Sequence, residues 1–168
     1  MPKHLPHDDY ITAVCAALDK TGPEVKDGRT DDCETRGTYC YLNAVIELDM
    51  LTVGLQDEWP HGLLLIWEWH TGIEAGHGEP ERGPVWQFAE LKDDGSNEHP
   101  TDLPVHGYAS PEAVAEAARR VASREIQAGS PLGYGQWLGW TGGIIGGSWE
   151  RADELDAACA AWAADETP

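Results

Sequence analysis

Basic residues are scarce in this chain: eleven Lys and Arg stand against thirty Asp and Glu in 168 residues, a formal net charge of -19. Affinity for nucleic acid comes chiefly from Lys and Arg that displace counterions condensed on phosphates, so this balance excludes non-specific DNA or RNA binding. It also sets the chain against anionic lipid. Cysteine is sparse too. Cys15, Cys33, Cys40 and Cys159 form no C-x-x-C pair, and the opening MPKHLPHDDY holds no apolar signal core. Both features point to free thiols in a reducing cytoplasm. No run is long and apolar enough to span a bilayer. Phenylalanine occurs once, yet tryptophan occurs eight times and hydrophobic residues make up 41%, which excludes global disorder despite the charge. The length suits one domain over residues 1–168 that buries a core without staples.

Apolar spacing sets the expected organisation. Ile11, Val14, Cys15 and Leu18 form one helical stripe over Asp8 to Leu18, stopped by Thr21-Gly22-Pro23. Residues 24–37 are polar, charged and without period, and read as a loop. TYCYLNAVIEL (38–48) alternates as a strand, and LLLIWEWH (63–70) and PVWQFAEL (84–91) have strand composition bounded by Gly and Pro. Leu51 to Leu55 reads as a short added strand or as an extension of the first turn. After a polar turn (DDGSNEHPTD), Ser110-Pro111-Glu112 opens a helix with an N-cap, a proline at its first position and an acid suited to the dipole. Its inward stripe is Val114, Ala117, Ala118, Val121 and Ala122. The Trp/Gly-rich stretch 129–147 reads as irregular, and Ser148 as the cap of a C-terminal helix over 148–164 with Ala152, Leu155, Cys159 and Trp162 on one face. This order, α-β-β-β-α-α, predicts an α+β domain in which helices pack on an antiparallel meander of three to four strands. Placing Val85, Gln87, Ala89 and Leu91 toward the helices leaves Tyr39, Tyr41, Val45, Leu64, Ile66, Trp86 and Phe88 on the reverse face. That face is too apolar to stay wet, and requires cover by the Trp/Gly segment and last helix or by a partner chain.

Chemistry-bearing residues are dispersed. Glu47, Glu68, His70 and Glu90 fall on the reverse face, but antiparallel strands put the first and last at one end and the middle pair at the other. Cys33, Cys40, His70 and His77 are the nearest approach to a zinc set, with six residues inside each pair where structural zinc sites have two to five. Cys33 could serve a Cys-His nucleophile, although no turn motif surrounds it. The run Gly142 to Ser148 enters a helix, where phosphate loops sit, but no lysine accompanies it, and Glu150, Asp153, Glu154 and Asp156 would repel phosphate. Arg119, Arg120 and Arg124 read as a helix face paired with Glu116 and other acids. No cofactor is implied. Most of the eight tryptophans read as core, the leading reading for each singly. Trp59, Trp137 and Trp140, however, sit in polar or glycine-rich surroundings, where an amphipathic ring commonly anchors an interface, and at least one of them is a candidate anchor.

The stretches LLLIWEWHTG, GPVWQFAEL and DLPVHGYASPEAVAEAARRV resemble a family of small acidic proteins from high-GC actinobacteria and their mobile elements, whose biochemical role is uncharacterised. The resemblance spans roughly the middle half of the chain. It implies a prokaryotic cytoplasmic or phage-associated setting and assigns no site residue. Residues 50–109 carry eleven acids against Arg82 and Lys92 alone. The sequence thus reads as a non-enzymatic acidic binding module, monomer or homodimer, that meets a basic protein surface through Asp57, Glu58, Trp59, Glu79, Glu81, Asp93, Asp94, Trp137 and Trp140. Its sharpest form is an inhibitor that mimics nucleic acid. The rival reading is a small metal-dependent or Cys/His enzyme using Glu68, His70 or Cys33, and the bland one is acidity for solubility alone.

Overall fold

A computed structural model describes residues 4–35, 39–72, 82–127 and 142–166, with the side chains of 33–35, 39–41 and 165–166 outside the description. The fold is α+β. Five antiparallel strands lie in sequence order, β1 (Val25–Thr35), β2 (Tyr39–Leu48), β3 (Leu63–His70), β4 (Gly83–Glu90) and β5 (Thr101–Asp102). Three helices accompany them: α1 (Asp8–Thr21), α2 (Pro111–Ala122) and α3 (Ala152–Glu166).

Pairing of β2 with β3 sets Leu42 opposite Trp69, Ala44 opposite Trp67, Ile46 opposite Leu65 and Leu48 opposite Leu63, and all eight side chains are buried. This period-2 face meets the helices. Tyr10, Ile11, Val14 and Leu18 supply the buried stripe of α1, with Cys15 half-buried beside it. In α2 the expected stripe Val114, Ala117, Ala118, Val121 and Ala122 is buried, together with Ala113 and Ala115. Small residues on so many sides let α2 lie close to α1, with Gly22 at the end of α1 against Ala115. Ser110 caps α2 as expected, its hydroxyl accepting from the Ala113 N–H at 3.2 Å.

The sheet departs from the sequence reading in three places. Within the expected loop 24–37, Val25–Thr35 is a strand paired with β2, its register shifted once between Val25 and Asp27. As an edge strand over which α1 packs, it sets Gly28, Thr30 and Asp32 opposite the buried face of β2, with Val25 as its apolar contact, and most of its other positions carry charge. Hydrophobic alternation is therefore missing although the backbone pairs. The Thr30 hydroxyl donates to the Asp8 carboxylate at the start of α1. Second, β4 faces the other way. Trp86 lies opposite Trp67 and Phe88 opposite Leu65, and both are buried on the helical side, leaving Val85 and Gln87 on the reverse face. Apolar residues occupy both parities of PVWQFAEL, and the two large rings take the core. Third, the polar stretch before α2 is not all turn but contains β5, paired with Gln87 and Phe88; Leu51 to Leu55 extends the turn after β2, one of its two expected outcomes.

The C-terminal helix begins at Ala152, not at Ser148, which pairs with Ala109 in an isolated bridge. Leu155, Cys159 and Trp162 are buried. Contacts of Arg151 with Asp9 and of Asp156 with Tyr108 tie α3 to the layer of α1, so it does not cover the reverse face as expected. Trp137 and Trp140, the other expected cover, lie outside the described residues.

Segment 107–109 binds these layers together. The Trp67 indole donates to the Gly107 carbonyl at 2.9 Å, Tyr10 donates to the Ala109 carbonyl at 2.5 Å, and the Trp149 N–H donates to the Tyr108 carbonyl at 2.7 Å. Gly107 makes the approach possible, because a Cβ there would stand 2.5 Å from the Pro84 carbonyl oxygen. Gly107→Ala should lower stability by about 1–3 kcal/mol through overpacking against backbone that cannot yield. Gly147→Ala, whose added methyl meets nothing within 4 Å, should leave the urea midpoint in place.

His7 supplies a pH dependence. It is fully buried, stacks on Trp67 with ring centroids 5.2 Å apart, and donates from Nε2 to the Asn43 carbonyl at 2.8 Å. Burial lowers its pKa below the ordinary value of 6.5, against the Asn43 carbonyl and the carboxylates of Asp8, Asp32 and Asp31, which raise it. The unfolded chain therefore takes up a proton that the fold refuses. This contribution to stability is complete above the unfolded value and declines as pH falls through it toward the lower folded value. Thermal melts between neutral pH and about pH 5 should show a fall that His7→Gln, which keeps a donor for Asn43, makes shallower. Parallel slopes for the two proteins would refute the assignment.

Candidate functional site

Strand direction gathers the loops. Leu48 ends β2, Leu63 begins β3 and Glu90 ends β4 at the same end of the sheet, so connections 49–62 and 91–100 emerge side by side. Their contact is direct: the Leu91 N–H donates to the Gly62 carbonyl at 3.0 Å. Glu47, Asp49, Asp57, Glu58, Glu90, Asp93 and Asp94 share this end with Lys26, Lys92 and Arg124. Lys26 lies 3.4 Å from the Glu47 carboxylate and Arg124 3.8 Å from that of Glu90. Among the described residues no ion pair involves Asp57, Glu58 or Asp93, all exposed. The Ser96 hydroxyl and N–H hold the Asp94 carboxyl below its ordinary range, keeping it ionised. Four of the anticipated partner-binding acids thus come together, whereas Glu79, Glu81, Trp137 and Trp140 lie outside the described residues.

Trp59 is not an exposed anchor. It is 4% exposed, its indole donates to the Ala122 carbonyl at 2.9 Å, and the Arg124 guanidinium lies 3.7 Å over its ring. Arg124 takes a positive φ of 65° to reach this position and donates to the Glu58 carbonyl at 2.9 Å. A loop ring, a strained arginine and the end of α2 therefore lock the 49–62 connection in place. No local signal announces this role for Arg124, because its partners are distant along the chain; Arg119 and Arg120 do pair with Glu116.

Of the enzyme-like set, Glu68 and His70 are neighbours, while Glu47 and Glu90 stand away from them. His70 Nε2 lies 3.5 Å from Glu68 Oε1 at the opposite end of the sheet from Glu47. Glu90, opposite Leu63, belongs to the helical side and not to the reverse face. Among the described residues no group of three His, Cys, Asp or Glu is placed to hold a metal. The ladder sets Cys33 opposite Tyr41 and Glu34 opposite Cys40, with the cysteine side chains outside the description and His77 likewise. Cys15 and Cys159 are free thiols whose pKa burial raises, that of Cys159 to about 12, so neither is an activated nucleophile. The glycine run is packed backbone: Ile145 donates to the Pro104 carbonyl at 2.7 Å and the Gly147 carbonyl accepts from Ser110 at 2.9 Å. No described helix is long and apolar enough to cross a membrane. Comparison with protein-family models, curated proteins and solved structures returns no match.

Proposed function

We propose that this protein is a non-enzymatic binding module whose acidic sheet end engages a basic surface on another protein. The observation that supports it is the convergence of Asp57, Glu58, Asp93 and Asp94 from two loops more than thirty residues apart. Uncompensated carboxylates held on a fixed frame attract Lys and Arg at long range and speed encounter. A surface built to receive phosphates has that chemistry, so an inhibitor that mimics nucleic acid is the sharpest form of the reading. The resemblance to actinobacterial and mobile-element proteins fits a cytoplasmic accessory role of this kind.

The test is capture of partners from a high-GC actinobacterial lysate, followed by salt titration of the complex. Exposed charges are screened beyond about 10 Å at 0.1 M salt, so binding should weaken steeply between low and high salt. Replacing Asp57, Glu58, Asp93 and Asp94 with Lys should abolish association while the circular dichroism spectrum is unchanged. Salt-insensitive binding that survives the four substitutions would sink the proposal.

A further inference from the structure

The 49–62 connection carries a second feature besides charge. Leu51 is 67% exposed and Val53 42%, and with Ile144 they are the large hydrophobic residues left exposed among those described. Two of the three thus sit on one loop, with Thr52 between them. Their exposure is not the consequence of a slack segment. Asp49 accepts from the Leu51 N–H through its carboxylate and from the Thr52 hydroxyl through its carbonyl, each at 3.0 Å. The Leu55 N–H donates to the Met50 carbonyl at 2.9 Å, and Met50 and Trp59 are buried at the base under the Arg124 clamp. The loop is fixed on both sides while its tip points two aliphatic side chains at water. A backbone already ordered before binding loses little entropy when its tip docks.

We infer that the Leu51–Val53 tip is an apolar contact point that inserts into a cleft on the partner bordered by lysine or arginine. The inference rests on the acidic-module reading and specifies how that module makes contact. Charge selects the occupant. Asp57 and Glu58 flank the tip on the same loop, and Asp93 and Asp94 stand on the neighbouring one. A second copy would bring the same carboxylates against themselves at a net charge of -19 each, and anionic lipid would be repelled in the same way. A basic protein surface satisfies the rim, and an apolar cleft within it removes Leu51 and Val53 from water. An apolar centre inside a polar rim is the usual anatomy of a protein interface.

Two synthetic peptides of equal charge test this on the intact protein: oligolysine, and an amphipathic helix of alternating leucine and lysine patches. The amphipathic peptide should bind roughly tenfold more tightly, a typical effect for a buried contact residue. Its largest amide shifts should fall on residues 50–58. Leu51→Ser with Val53→Ser should remove that preference and leave oligolysine affinity unchanged, with the melting temperature serving as the folding control. Equal affinity for both peptides, unmoved by the serine substitutions, would overturn the tip inference while the charge reading stands. Absence of binding to either peptide at low salt would overturn both. A concentration-dependent dimer in sedimentation that the serine substitutions abolish would make a second copy the occupant and also overturn it.

Discussion

Buried indole nitrogens are the constraint on which this architecture depends. A tryptophan on the core face removes a large apolar area from water, but its N–H must find an acceptor or cost about 1–3 kcal/mol. The three tryptophans of β3 and β4 solve this in related ways. Trp67 reaches the Gly107 carbonyl directly. Trp86 donates to the Tyr10 hydroxyl, which in turn donates to the Ala109 carbonyl, and Trp69 donates to the Tyr108 hydroxyl, which donates to Asp156. The two tyrosines act as adapters, each accepting from an indole in the sheet and donating onward to a different layer. Segment 107–109 is thereby fixed against the sheet, and α1 and α3 are fixed to it. Burial raises the pKa of both tyrosines, with the Asp156 carboxylate adding to the effect at Tyr108. Both remain protonated donors wherever the protein is folded at ordinary pH.

What could be read from the sequence follows from whether the signal was local. The cap Ser110-Pro111 and the alanine stripe of α2 lie within one helix, and the alternation of β2 and β3 within single strands, so each was visible. Strand β1 was hidden because its burial is supplied by α1 on one side only and its edge is charged. The facing of β4 was ambiguous because both parities of PVWQFAEL are apolar, and only pairing with Trp67 and Leu65 decides it. Trp59 looked like a surface ring because Gln56, Asp57, Glu58 and Pro60 around it are exposed. Its acceptor and its covering guanidinium come from the end of α2, more than sixty residues later. The acids of the sheet end were each legible, whereas their convergence needed the strand order.

Arg124 shows how the candidate surface is kept rigid. A left-handed backbone costs a residue with a Cβ about 1–2 kcal/mol and persists only where the surroundings determine it. Here the return is a hydrogen bond to Glu58, a stack on Trp59 and proximity to Glu90. One side chain joins α2, the 49–62 connection and the end of β4. The residue that could have neutralised the acidic end is spent holding its loops together, with its charge directed mainly at a ring face and a backbone carbonyl.

The same allocation holds across the chain, and it bears on whether the acidity has a purpose beyond solubility. Lys26, Arg29, Arg119, Arg120, Arg124 and Arg151 all sit in pairs with nearby carboxylates. Six of the nine described Lys and Arg are thus placed beside carboxylates, whereas Lys20 and Lys92 stand exposed without an ion pair among the described residues. Solubility needs only net charge, and scattered acids would provide it with less self-repulsion. Bringing Asp57, Glu58 and Asp93 to one end with no ion pair to their carboxylates among the described residues raises the electrostatic cost of folding there, a cost the Trp59 and Arg124 contacts help to offset. An arrangement that adds repulsion and then braces against it is what a surface awaiting an opposite charge requires.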